Sequence, residues 1–189
     1  MRRFKMTPLS INDLNVVRKE AYGRLERKEY GRALALFEHV FDGKEAWVAS
    51  CMGFIYSRRD SGEYNRTKAK RFYRIAAEQG DTYAQYALGG LLTEDGNSED
   101  AQRWYTMGSD AGEPSCSYIL YRHFKSRGDN ETAERYFNRA VDQGNPIAFQ
   151  HLSIRYVKGY FGISGVLKGF NMYIKNIPKL IRYIKENVS

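Results

Sequence analysis

The chain has 189 residues, 42% hydrophobic and 14% aromatic, which is enough to bury a core of its own. It contains no run of about 18 apolar residues, which argues against a membrane-spanning helix. Behind the N-terminal M-R-R-F-K-M-T-P-L-S there is no apolar segment, so no signal peptide is read. The net charge of +8 is unevenly placed: residues 155–189 hold seven Lys/Arg against Glu186 alone, while the first 154 residues hold 23 basic and 21 acidic side chains.

Taken in order, residues 12–27 predict a first helix, capped near Ser10 or Asn12, with Leu14, Val17, Ala21 and Leu25 on its apolar stripe. A second begins near Gly31, with Ala33, Leu36, Phe37 and Val40 inward. Residues 45–58 predict a third. From there the chain repeats itself. A-K-R-F-Y at 69–73, A-Q-R-W-Y at 101–105 and A-E-R-Y-F at 133–137 stand 32 residues apart, and each is followed seven residues later by a glycine: Gly80, Gly112 and Gly144. Four residues past the glycine comes a small residue (Ala84, Cys116, Ala148), and four further on a leucine (Leu88, Leu120, Leu152). Steps of three, four and seven place residues on one helical face, so each repeat holds two helices. A period near 30 implies a stacked array in which each unit buries its face against the next.

The junctions carry their own chemistry. Asp81, Glu113 and Asn145 follow the glycines directly. Asp and Asn are good N-caps, and Pro114 and Pro146 fit the first helical position, where the missing N–H costs nothing. The glycines suit the left-handed conformation that ends a helix. The stretches 94–100 and 126–132 are short polar turns around Gly96 and Gly128.

The unit A-x-x-W-Y-x-x-(A/G)-x-x-x-G-x-x-x-A-x-x-x-L-G resembles the Sel-one-like repeat, a relative of the tetratricopeptide repeat. The resemblance covers roughly residues 30–156 and is closest at 69–112. It implies an all-α, right-handed α/α solenoid over residues 1–158; residues 159–189 read, from their own pattern, as a basic C-terminal amphipathic helical tail. It also implies an adaptor or scaffold that binds protein partners, and a bacterial cytoplasmic setting. One departure stands out: the family's long loop with G-x-G-V is missing between Leu88 and Ala101.

Nothing in the sequence reads as a catalytic site. His39, His123 and His151 fall in separate repeats without metal-ligand spacing, so neither a metal nor a cofactor is expected. Cys116 sits where Ala84 and Ala148 sit, as a small core residue, and Cys51 reads as helix packing. Two cysteines without C-x-x-C spacing make no disulfide framework and favour a reducing compartment. Gly159, Gly162, Gly165 and Gly169 lack the G-K-(S/T) of a phosphate loop.

A groove is the better candidate. Related solenoids line their concave face with the first helix of each pair. At those positions stand Trp47, Phe54, Tyr83, Tyr86, Tyr118, Arg122, Lys125 and Gln150, and aromatic rings with arginine are the composition of interface hot spots. The alternative is that some of these tyrosines pack between helices. The tail is a second candidate. Ile163, Val166, Leu167, Phe170, Tyr173, Ile174 and Ile177 form one apolar stripe, and Pro178 then interrupts. Lys168, Lys175, Lys179, Arg182 and Lys185 supply the charge. Such a segment caps the array, lies with Phe170 and Tyr173 at the headgroups of an anionic membrane, or binds a partner helix or oligomerises. A nucleic-acid-binding or regulatory repeat protein is the alternative class, but basic residues confined to the tail argue against a groove that tracks phosphates.

Overall fold

The structure, a computed structural model, describes residues 11–158 together with Leu167, Asn171, Ile174, Lys175, Ile177, Pro178, Ile181 and Arg182. Among residues 11–158 every regular element is an α-helix: α1 (Ile11–Glu26), α2 (Tyr30–Val40), α3 (Ala46–Ser57), α4 (Arg66–Glu78), α5 (Thr82–Glu94), α6 (Ser98–Asp110), α7 (Pro114–Ser126), α8 (Asn130–Asp142) and α9 (Pro146–Val157). The chain divides into two compact units, Met1–Leu91 and Leu92–Ser189.

The helix ends follow from the junction residues. Gly112 has φ +97°, a conformation that costs glycine nothing and other residues a clash. Its N–H bonds to Ser109 O at 3.1 Å, and Glu113 N–H bonds back to Gly108 O at 2.8 Å. This pair of bonds satisfies carbonyls that the end of α6 would otherwise orphan. The same pair recurs after α4 at Gly80 and after α8 at Gly144. The next helix then starts from a side-chain cap. Asp81 Oδ1 accepts from Ala84 N–H at 2.7 Å, and Glu113 folds back to Ser115 N–H at 3.1 Å. Asn145, fully buried, accepts from Ile147 and Ala148 N–H at 3.0 and 2.9 Å, and its amide donates to Pro114 O.

In the first unit α1 packs on α2, α3 on α4, and α2 on α3. The α3–α4 pair is closed by one ring. Tyr73 is 1% exposed and lies over Gly53, where a Cβ would stand 2.7 Å from the ring. Its hydroxyl meets Ser57 Oγ at 3.2 Å. One detail of the sequence reading changes. Leu34, rather than Leu36, is the leucine that α2 buries fully, alongside Tyr30, because both join the stripe of Ala33 and Phe37. The α3–α4 connection, residues 58–65, is longer than the three-residue turns after α5 and α7. It is tied down by Arg58, whose guanidinium binds Asp60 through two nitrogens at 2.8 and 2.7 Å.

In the second unit α7 packs on both α6 and α8, and α8 on α9. Tyr105 is buried, as its place in the repeat predicts, and its hydroxyl lies 3.4 Å from Thr93 Oγ1, a repeat of the Tyr73–Ser57 pairing. The next copy solves the seam differently. Phe137 replaces tyrosine, and Tyr121 fills the glycine position, with ring centroids 5.1 Å apart. The position that would meet a hydroxyl there is Lys125. A closed polar ring joins three helices. Ser109 and Ser117 hydroxyls lie 2.7 Å apart, Ser117 donates to Gln143 Oε1 at 2.6 Å, and Gln143 Nε2 donates to Ser109 O at 2.8 Å. Every buried partner is satisfied, which is what makes such a network tolerable in a core.

Candidate interaction site

The odd-numbered helices α3, α5, α7 and α9 carry the predicted groove positions. In the first unit, a step of seven puts Trp47 and Phe54 on one face of α3, and Arg58 follows as its C-cap. Trp47 is 42% exposed, although its ring leans on Phe37 at 5.8 Å and on Tyr22 at 6.0 Å. Phe54 is half-buried beneath the Arg58 guanidinium, 5.4 Å from its centroid, and the same guanidinium covers Tyr30 at 5.6 Å. On α5, Tyr83 packs edge-on against Tyr73 at 6.1 Å, and Tyr86, half-buried, lies 6.4 Å beyond. Tyr83 is 44% exposed, yet its hydroxyl turns inward to that of Tyr73, and burial of that end raises its pKa. The ring edge, not the hydroxyl, faces solvent. This face is aromatic, and the Arg58 guanidinium beside it is already bonded to Asp60.

The second unit differs. Tyr118 and His151 meet across α7 and α9, with Tyr Oη 3.5 Å from His Nδ1 and the two ring planes at 64°. Around them Tyr121, Arg122, His123 and Lys125 line an open groove of about 560 Å³. Arg122 and Lys125 are exposed; Gln150 on α9 is half-buried. Lys125 Nζ donates to Asn130 Oδ1 at 2.7 Å, a neutral partner. Burial lowers the pKa of both histidines, and Arg122 adds to the effect at His151 and Arg127 at His123. His123 Nε2 is buried with no hydrogen-bond partner among the described residues. The sequence reading set the three histidines apart as repeat-by-repeat residues. The fold brings His123 and His151 to one groove, because α8 runs between α7 and α9 and returns the chain to the same side.

The cysteines are core residues. Cys51 and Cys116 are buried and unpaired, and burial pushes the Cys51 thiol up to about 12 and Cys116 higher still, so neither is a ready nucleophile. Among the described residues there is no cluster of His, Cys, Asp and Glu that could hold a metal ion, and no helix long and apolar enough to cross a membrane. In the tail, Leu167, Ile174, Lys175, Ile177, Pro178, Ile181 and Arg182 are helical and exposed. Pro178 is thus itself in helical conformation. Lys168, Phe170, Tyr173, Lys179 and Lys185 lie outside the described residues.

No protein-family model and no curated protein matches this sequence. Solved structures do. A Sel1 repeat protein from Oxalobacter formigenes is 21% identical, with a TM-score of 0.66 over 76% of this chain and 44% of that one. A protective antigen of uropathogenic Escherichia coli strains that displays an SLR (Sel1-like repeat) fold is 17% identical, with a TM-score of 0.65 over 86% of this chain and 38% of its own. This chain therefore spans less than half the length of either. YrrB, a TPR (tetratricopeptide repeat) protein with an unusual peptide-binding site, is 17% identical, with a TM-score of 0.55 over 90% of both chains. At such identities the likeness is one of fold. The chain has the all-α repeat fold of Sel1-like and tetratricopeptide solenoids.

Proposed function

We propose that this chain is a non-catalytic protein-interaction module that holds a peptide segment of a partner protein against its odd-numbered helices. Repeat folds of this class generally mediate protein–protein interaction, and one of the similar structures, YrrB, has a peptide-binding site. The observation that carries the reading is the exposure of Trp47 and Tyr83. Both rings belong to helices that otherwise build the core, and both leave a large apolar edge in water. Rings of this kind, fixed by their neighbours, bind at low entropic cost and dominate interface energies.

Replacing Trp47 and Tyr83 together with alanine is expected to weaken capture of a peptide partner by about a hundredfold, the scale of two modest hot spots. Because both rings also pack on core neighbours, Phe37 and Tyr73, the melting temperature should fall somewhat, and binding is compared at a temperature where both proteins are folded. Undiminished binding by the double variant would remove this face from the site.

A second reading concerns the tail. Leu167, Ile174, Ile177 and Ile181 are exposed large hydrophobics, and seven Lys/Arg accompany them across residues 155–189. An exposed apolar stripe with basic flanks suits an anionic membrane surface, where each Lys or Arg contributes about 1 kcal/mol. The full chain should then co-sediment with phosphatidylserine-rich vesicles and release them as salt is raised. Equal sedimentation with neutral vesicles, or none at all, would end this reading.

A further inference from the structure

We infer that the α7–α9 face of the second unit receives an acidic peptide segment of the partner, held by Arg122 and Lys125. The inference rests on the peptide-binding reading above and names the chemistry of the occupant. Charge in this unit is sorted by helix. Helices α7 and α9 contain no aspartate or glutamate. Helices α6 and α8 carry Glu99, Asp100, Asp110, Glu131, Glu134 and Asp142. Arginines beside those carboxylates are used up locally: Arg103 pairs with Glu99, Arg139 with Asp110, and Arg155 with Glu134.

Arg122 is different. It is exposed on the groove wall, and among the described residues its charge meets no carboxylate; its neighbour is the imidazole of His151. Lys125 stands one turn beyond on the same face; among the described residues its bond is to the neutral amide of Asn130 and its charge meets no carboxylate. An arginine in that state binds carboxylates in a fork geometry without first breaking an ion pair. The floor beneath is aromatic, with Tyr118 and Tyr121, and can cover the apolar part of a peptide. The groove volume of about 560 Å³ is that of a few side chains.

Two cations over an aromatic floor match a short acidic segment. A nucleic acid strand carries one phosphate per nucleotide and calls for a longer basic track, which the carboxylates of α6 and α8 do not provide. A second copy of this chain, docking through its acidic helices, is the other occupant of matching charge.

The test is selection of peptides from a random library on the full chain, followed by affinity measurement with wild-type protein and with the double variant R122Q/K125Q. Both positions are exposed, so the variant should keep its helical spectrum and melting point. Selected peptides are expected to be acidic, to lose affinity about tenfold or more in the variant, and to bind more weakly as salt rises. Neutral or basic peptides that bind both proteins equally would overturn the inference and leave the peptide-binding reading standing. A library that yields no binder at all would overturn both. Displacement of the peptide by a single-stranded oligonucleotide, or a dimer in sedimentation that R122Q/K125Q dissolves, would assign the groove to another occupant.

Discussion

Truncation of Tyr73 to alanine is expected to lower the unfolding free energy of the first unit by about 3–5 kcal/mol, the range for large aromatic truncations in a packed core. The ring is 1% exposed, closes the α3–α4 seam and supports Tyr83 edge-on. Its removal leaves a cavity that glycine at position 53 cannot fill. Tyr73→Phe isolates the hydroxyl, whose bond to Ser57 contributes about 1 kcal/mol. A chemical denaturation series on the full chain measures both. Equal losses for alanine and phenylalanine would mean that the hydroxyl, not the ring, holds the seam.

The second large effect comes from adding volume at the same place. In Gly53→Leu the new Cβ meets Tyr73 Cδ1 at 2.7 Å, Cγ at 2.9 Å and Cε1 at 3.0 Å. These are rigid ring atoms inside a closed core, so the helices must separate or the ring must leave its pocket. Overpacking of this kind costs about 1–3 kcal/mol, and a branched side chain belongs at the upper end. Gly53→Leu combined with Tyr73→Ala should be less destabilised than the sum of the two, because each relieves part of the other. Strict additivity would show that the two positions do not share one space. The α7–α8 seam is the natural control: there Tyr121 occupies the glycine position and Phe137 the tyrosine position, and the pair packs without conflict.

Much of the fold was legible in the sequence because the chain states it three times. The glycines after α4, α6 and α8, the caps at Asp81, Glu113 and Asn145, and the prolines at 114 and 146 are local chemistry, and each acts within one turn of where it is written. The exchange between Gly53–Tyr73 and Tyr121–Phe137 was not legible. The partners lie 16 to 20 residues apart, and nothing in either helix alone says that one has given up a side chain to the other. The candidate site divides the same way. Exposure of Trp47 and Tyr83 follows from their register, whereas the meeting of Tyr118 with His151, 33 residues away, needs the folded pair. The lack of carboxylates on α7 and α9 was readable all along. It gains meaning only when both helices are seen to line one groove.

The central claim, that the odd-numbered helices hold a partner peptide, is tested most directly by hydrogen exchange on the full chain with and without a saturating selected peptide. The account predicts slowed exchange in α3 and α5, or in α7 and α9, with α4, α6 and α8 unchanged. Protection confined to α4, α6 and α8 would contradict it.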